Sequence, residues 1–320
     1  MNREEKILVL GSSGMVGSAI IRSLVSQGFH NIVGTDHRNA PDGKSQVKYL
    51  KADLLDPIAC QQLFQDQKPD HVFLAAARVG GIAANNTLRA QFLYENLAIQ
   101  NNVIHNAYLS KVKKLLFLGS SCIYPKHALQ PLKEEYLLTG PLEYTNEPYA
   151  IAKIAGLKMV ENYNLQYGTD FISVMPTNLY GPNDNYDLQS SHVLPALIRK
   201  FHEAKVSGAE AVTIWGTGSP LREFMHVNDL ASAVVFLMNG YSGNQFINIG
   251  WGKEISIKDL ALMIKEVTGF EGELRFDHSK PDGTPRKLLD VSRLNSLGFT
   301  PTIPLREGIE RTYKDYLGRS

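Results

Sequence analysis

Two short stretches carry side chains whose types and spacing could do chemistry. GSSCIYPKHALQP (119–131) sets a serine and a cysteine two positions apart at the end of an apolar run. NEPYAIAKIAG (146–156) sets a tyrosine and a lysine four apart. Residues four apart share one face of a helix, so Tyr149 and Lys153 become neighbours. Asn146 is placed to cap that helix and Pro148 suits its first turn. A tyrosine ordinarily keeps its proton to about pH 10. A neighbouring ammonium favours the phenolate and lowers that value. With Ser120 as a second hydrogen-bond donor, such a tyrosine can protonate an oxygen anion that develops from a carbonyl. Cys122 and His192 are not needed for that step. A thiol and an imidazole both titrate near neutrality and could move protons on the carbons flanking a ketone. The plainer alternatives are an inert packed thiol, a solvated loop histidine and an ordinary surface helix.

These groups need elements to hold them. KILVLG (6–11), NIVGTD (31–36), VKYLKADL (47–54), HVFLAAA (71–77), KLLFLGS (114–120) and FISVMPTN (171–178) have the apolar runs of buried strands. Helical patterns lie between or after them: SAIIRSLVSQG, with Ile20, Ile21, Leu24 and Val25 as its stripe and Gly28 at its close, then segments near 58–67, 86–110 and 150–167. This alternation predicts an α/β fold, a doubly wound parallel sheet. If the extended conformation persists beyond Ser120, then Cys122 looks the same way and Ser121 the other. Both would face the C-terminal ends of the strands, where open α/β sheets bind ligands.

Gly11, Gly14 and Gly17 follow the first strand directly and open a helix. The first permits a tight turn, the second a close approach of backbone to a pyrophosphate, and the third close helix–strand packing. In that order the glycines predict a Rossmann-type dinucleotide site, with hydride delivery as the partner of the tyrosine's proton. Asp36, 25 positions after Gly11, ends the second strand where a carboxylate would hold a ribose 2′-OH. Arg38 follows and could pair with a 2′-phosphate, so these residues leave NAD(H) and NADP(H) both open. Asp53 and Leu54, at the expected end of the third strand, are either within reach of an adenine or part of an ordinary strand-end turn.

The chain has 320 residues and a formal net charge of +1, with 43% hydrophobic and 20% charged residues. That is the composition of a globular enzyme, and it gives no sign of nucleic-acid binding. Two cysteines, Cys60 and Cys122, argue against a disulfide framework and a Cys-rich metal site, and no metal is expected. The first apolar run is too short to span a membrane. A cytoplasmic protein without membrane attachment is expected. Residues 1–180 are expected to form the cofactor-binding Rossmann domain. Residues 181–320 should form mainly a smaller mixed α/β substrate lobe, with segments such as VVFLMN and FINIG packing back onto the sheet.

GSSGMVG, the serine strand, YAIAK and NLYGP are general marks of the extended short-chain dehydrogenase/reductase superfamily. AAARVGGIAANNT, LFLGSSCIYPK, NEPYAIAKIAG, VMPTNLYGPNDN, SHVLPALIRKFHEA, REFMHVNDLA and KPDGTPRKLLDVSRL are more specific. Over nearly its whole length the chain resembles the GDP-L-fucose synthase family of that superfamily. The resemblance implies conversion of GDP-4-keto-6-deoxy-D-mannose by inversion at C3 and C5, then reduction of the C4 ketone with NADPH. It implies Ser120, Tyr149 and Lys153 for reduction, Cys122 as epimerising base and His192 as acid. Cofactor contacts would come from Gly11, Ser12, Ser13, Gly14, Met15, Val16, Gly17, Asp36, Arg38, Asp53, Leu54, Ala75, Ala77, Pro176, Asn178, Leu179 and His192, besides Tyr149 and Lys153. Asn178, Lys200, Trp215, Arg222 and Lys280 would meet the substrate. Lys200 stands where the family usually has arginine, keeping the charge without the bidentate fork. Ser12 and Ser13 stand where the family's turn often carries a basic residue. A homodimer pairing helices of the Rossmann part is also implied. The rivals are another nucleotide-sugar epimerase or dehydratase of the superfamily, and a non-catalytic dinucleotide sensor or scaffold.

Overall fold

A computed structural model describes residues 1–36, 47–280 and 282–318, with side chains throughout except at 82 and 83. In chain order, the first half contains β1 (Ile7–Leu10), α1 (Met15–Ser26), β2 (Ile32–Asp36), β3 (Lys48–Lys51), α2 (Pro57–Gln67), β4 (His71–Leu74), α3 (Ile82–Thr87), α4 (Arg89–Leu109), β5 (Lys114–Leu118) and α5 (Glu147–Tyr167). The second half contains β6 (Phe171–Pro176), β7 (Asn178–Tyr180), α6 (Val193–Ser207), β8 (Ala211–Trp215), β9 (Leu221–His226), α7 (Val227–Gly240), β10 (Ile247–Ile249), β11 (Glu254–Ser256), α8 (Ile257–Thr268), β12 (Glu273–Asp277), β13 (Arg286–Lys287), α9 (Ser292–Ser296) and α10 (Leu305–Leu317).

Seven parallel strands form the main sheet in the order β10-β6-β5-β4-β1-β2-β3. Its strands are buried on both faces, so they read as apolar runs, and alternate residues serve opposite faces. Ile7 and Val9 join one core with α1 and α7 residues such as Ile20, Leu24, Leu230 and Val234. Leu8 and Leu10 join the other with Phe64, Val103, Ile104 and Leu157 from α2, α4 and α5. The strand order reverses at β1, which pairs with β2 on one side and β4 on the other. A cleft opens at such a reversal, outside the strands' C-terminal ends. From the second half, α7 packs on α1 and β10 pairs with β6, so the sheet is completed by late sequence.

The remaining elements form a smaller lobe. β8 pairs with β12, and a second sheet joins β11, β9 and β13, with β7 beside β9. Leu197, Ile198 and Phe201 of α6, Leu260 and Ile264 of α8 and Ile309 of α10 close a third core over them.

Several element ends differ from the sequence expectation. β3, β4 and β5 stop at Lys51, Leu74 and Leu118, so Asp53, Leu54, Ala75, Ala77 and Ser120 lie in the turns beyond their strands. The 86–110 helix is two helices, α3 and α4, divided at Leu88. FISVMPTN breaks at Thr177, and its last residue, Asn178, starts β7 in the second sheet.

Candidate active site

Gly11 makes the turn after β1 at φ +82°, in the left-handed region. A Cβ there would come within 2.8 Å of the Ala76 backbone, so the turn packs directly on the segment Ala75–Ala77. Gly14 is the N-cap of α1 and brings no side-chain cap, which leaves the helix's first N–H groups for an anion. Gly17 is packed against the Gly11 carbonyl, the close approach its motif requires. Met15 and Val16 are half-buried in that first turn. Ser12 differs from expectation: it is buried, and its hydroxyl donates to the Thr35 carbonyl at 3.1 Å. Ser13 donates its hydroxyl to the Asp36 carboxylate at the end of β2. Arg38 lies outside the described residues. Asp53 Oδ1 accepts the Leu55 N–H at 2.9 Å, and Leu54 is buried in the core beneath.

The chain does not stay extended after Ser120. Ser120 is extended, but Ser121–Ile123 curl into one 3₁₀ turn. The turn still brings Ser120 and Cys122 together: the Cys122 N–H points to Ser120 Oγ at 3.4 Å, and the thiol bonds the same hydroxyl. Ser120 also bonds the Tyr149 phenol. On α5, Tyr149 and Lys153 lie one turn apart, with Lys153 Nζ 5.6 Å from the Tyr149 ring centre. The ammonium donates at 2.8 Å to the Leu118 carbonyl at the end of β5. Pro148 occupies the first turn, but Asn146 makes no side-chain cap bond.

Burial governs the ionisation of this cluster. It pushes the Tyr149 phenol well above its usual range; Cys122 adds to the rise and the Ser120 bond opposes it. The expected lowering by Lys153 is therefore not what the structure has, because the ammonium is turned to Leu118. Burial brings Lys153 down to about 8 against a smaller opposing effect of Cys122. Burial raises the Cys122 thiol, while Lys287, the Ser120 bond and Lys153 pull it down. Lys287, which the sequence offered only as one available cation of KPDGTPRK beside Lys280 and Arg286, joins this cluster. It is lowered by burial, is drawn upward by Cys122, and also lowers His192, which burial lowers further. The imidazole of His192, at the N-cap of α6, is surface-accessible as a residue but hemmed in by neighbouring protein, and stands in the field of the same ammonium that faces Cys122. The available sequence signal was the basic pair in KPDGTPRK, which ends on Lys287.

A cavity of about 360 Å³, its open mouth included, runs beside Cys122 and Lys287, with Pro125, Gln130, Asn146 and Arg286 among its walls. Lys287 stands opposite Arg222 in the β13–β9 register. Arg222 is half-buried and held below its usual value by burial. In the outer lobe Trp215 is 63% exposed at the end of β8. The ammonium groups of Lys200 and Lys280 lie 5.9 and 5.8 Å from its ring. A flat aromatic face flanked by two cations suits a base and its phosphates. Pro176 is buried at the end of β6 and Leu179 is half-buried beside it, while Asn178 turns its amide to the Glu223 carbonyl at 2.8 Å. Among the described residues, no three His, Cys, Asp or Glu side chains gather as a metal site.

The NAD dependent epimerase/dehydratase family matches residues 7–250. The chain is 58% identical over 316 residues to GDP-L-fucose synthase 1 of Arabidopsis thaliana, covering 99% of this chain and 94% of that one. It is 49% identical over 325 residues to the GDP-L-fucose synthase of Escherichia coli, with 98% and 97% covered. The solved GDP-mannoheptose C4 reductase of Campylobacter jejuni with NADP bound superposes with a TM-score of 0.87 at 42% identity, covering 99% of both chains.

Lys153 keeps its charge below about pH 8 and loses it above. An ammonium beside the cleft favours an anionic dinucleotide only while it is charged. Affinity for the reduced nicotinamide cofactor, followed by its fluorescence, is therefore expected to stay level up to about pH 7.5 and to fall above about pH 8. Lys153→Met should bind more weakly near neutrality and show no such fall. A parent affinity that stays level to about pH 9.5 contradicts this placement of the charge.

Proposed function

The chain belongs to the NAD dependent epimerase/dehydratase family, within it to the GDP-L-fucose synthases, and we infer a division of labour inside one cleft. It converts GDP-4-keto-6-deoxy-D-mannose to GDP-L-fucose, epimerising C3 and C5 and reducing the C4 ketone, with NADP(H) as its cofactor. The observation that carries the division is the single buried cluster in which Ser120 meets both Cys122 and Tyr149, with Lys153 and Lys287 both acting on the thiol.

The uncapped N-terminus of α1 and the Gly11 turn fit a pyrophosphate, and Ala75, Ala77 and Leu179 would line the dinucleotide's path. When bound, NADPH supplies the hydride. The chain's own groups do the rest. Ser120 and Tyr149 hold the C4 carbonyl oxygen. Cys122, as thiolate, takes the proton from C3 or C5, and the electron pair moves onto that oxygen, where the two hydroxyls stabilise the charge. His192, in its imidazolium form, gives a proton to the other face of the carbon. At the reduction step Tyr149 gives its phenolic proton to the C4 oxygen, the Ser120 bond favours the phenolate left behind, and Lys153 stands one helical turn away toward the cofactor. Trp215, Lys200, Lys280 and Arg222 would hold the GDP part. Residues 1–180 thus serve chiefly the cofactor and 181–320 the substrate, with α7 and β10 completing the sheet.

We place the enzyme as a homodimer in the cytoplasm. Paired helices α4 and α5 leave Tyr94, Leu109, Ile151 and Leu165 between 44% and 70% exposed, an apolar surface suited to a second copy. Tyr94→Glu with Ile151→Glu should sediment as monomer while the parent sediments as dimer; a monomeric parent contradicts the assignment. Among the described residues no helix is long and apolar enough to cross a membrane. The free thiols of Cys60 and Cys122 suit a reducing compartment, and an extracytoplasmic location on fractionation would overturn that placement.

The division of labour is tested by separating proton exchange from hydride transfer. Tyr149→Phe should lose reduction by roughly 10²–10⁴-fold and keep part of the deuterium incorporation at C3 and C5 in heavy water. Cys122→Ser should slow that exchange, yet still reduce the unepimerised ketone to a 6-deoxy sugar of the original configuration. His192→Asn should stop at partial exchange or incomplete inversion. NMR of exchange and product stereochemistry, beside a cofactor assay, reads all three. Parent-rate epimerisation in both Cys122→Ser and His192→Asn, with only reduction lost, contradicts the assignment.

A further inference from the structure

Glu223 on β9 is fully buried, yet among the described residues it forms no ion pair. Its carboxylate is satisfied by neutral donors. Oε1 accepts the Gly252 N–H at 2.6 Å and Oε2 the Leu289 N–H at 3.0 Å, with a further bond from the Trp251 backbone, while the Thr177 hydroxyl donates to the Glu223 main-chain carbonyl at 3.3 Å. The turn after β10 is built around it: a Cβ on Gly250 would strike Glu223 Oε1. Burying a carboxylate without a cation is costly, and an apolar side chain would fill the space at less expense. Burial holds its pKa above the ordinary range, as that cost requires. The contacts identify the geometry it enforces.

We propose that Glu223 is a positioning residue, whose buried carboxylate holds the run after β13 and so sets Lys287 against Cys122. This rests on the assignment of Cys122 to epimerisation. Leu289, tied to Glu223, lies two residues beyond Lys287 on the same extended run. Three successive N–H groups of that run are held by three different acceptors: Leu288 by Gln130 Oε1 at 2.9 Å, Leu289 by Glu223 and Asp290 by the Leu132 carbonyl at 2.9 Å. On the other side β13 is in register with β9, Lys287 opposite Arg222. The Glu223 main-chain carbonyl accepts the Asn178 amide at 2.8 Å. Glu223 therefore ties β7 through its main chain, and the run after β13 and the turn after β10 through its carboxylate. Of these three N–H ties, the one to Leu289 is made by an ionisable side chain.

Glu223→Gln keeps the volume and turns an NH₂ toward one of the two N–H groups, so one tie is lost. With GDP-4-keto-6-deoxy-D-mannose, deuterium incorporation at C3 and C5 should slow about tenfold, and its pH midpoint should rise by about one unit as Lys287 leaves the thiol. KM for the sugar nucleotide should rise, while NADPH affinity stays within about twofold, because the glycine turn is not touched. Glu223→Asp should recover part of both the rate and the midpoint. If Glu223→Gln does not fold, Gln130→Ala frees the adjacent N–H and should move the midpoint the same way by less. A lowered melting temperature with an unshifted midpoint in the folded variant makes Glu223 merely structural and overturns the proposal. An unshifted midpoint in Gln130→Ala overturns it where Glu223→Gln cannot be made. Parent-like exchange in Cys122→Ser would instead remove the underlying assignment, so the two failures are distinguishable.

Discussion

The site depends on one constraint: two ammonium groups and a thiol share a volume from which protein excludes most water. Burial favours the protonated Cys122 thiol and disfavours the charge on both lysines. Together they relieve one another, because a thiolate between two cations is a better buried arrangement than any of the charges alone. Titration of such a set belongs to the group rather than to one residue. Ser120 adds the hydrogen bond that links this set to Tyr149, so the proton-abstracting and proton-donating halves of the reaction are electrically joined.

The fold is arranged to bring these charges from distant sequence. Lys153 arrives on α5 with Tyr149, and its ammonium is braced on the β5 carbonyl of Leu118. Lys287 arrives 134 residues later, on a two-residue strand that has no regular neighbour except β9. So short a strand cannot fix its own register, and its side chain is set by side-chain ties from Glu223 and Gln130 and by the Leu132 main chain. A second buried group supports them: Asn248 of β10 donates to the carbonyls of Leu132 and Asp290 and accepts from the Tyr124 hydroxyl. The edge of the main sheet is thereby joined to the loop that shapes the cavity wall.

What the sequence made legible follows from local physics. The β1–α1–β2 unit, its glycines and the two-faced strands rest on periodicity and turn chemistry, and they stand where those rules put them. The C-terminal lobe was less legible, because β7, β11 and β13 are two or three residues long and carry mixed polarity. Ser120 and Cys122 do face one another, but through a 3₁₀ turn that strand alternation could not foresee. The Tyr149–Lys153 spacing put the pair one turn apart but misjudged the phenol, because burial raises it and the lysine's partner is a carbonyl on another element. Lys287 and Glu223 are tertiary facts. Nothing near them in sequence says that one will face Cys122 or that the other will be buried without a cation.

The central claim is that Lys287 holds the charge of the Cys122 thiolate, and ionisation of that thiol tests it most directly. Burial pushes Cys60 up to about 12, against a smaller opposing bond from Asn106, so its reaction stays silent across neutral pH. The rate of alkylation by iodoacetamide as a function of pH, with Cys122 identified by peptide mass, gives the midpoint in the parent and in Lys287→Met. The account predicts a midpoint about one unit higher in the variant at unchanged fold. Coincident midpoints in the two proteins would contradict it.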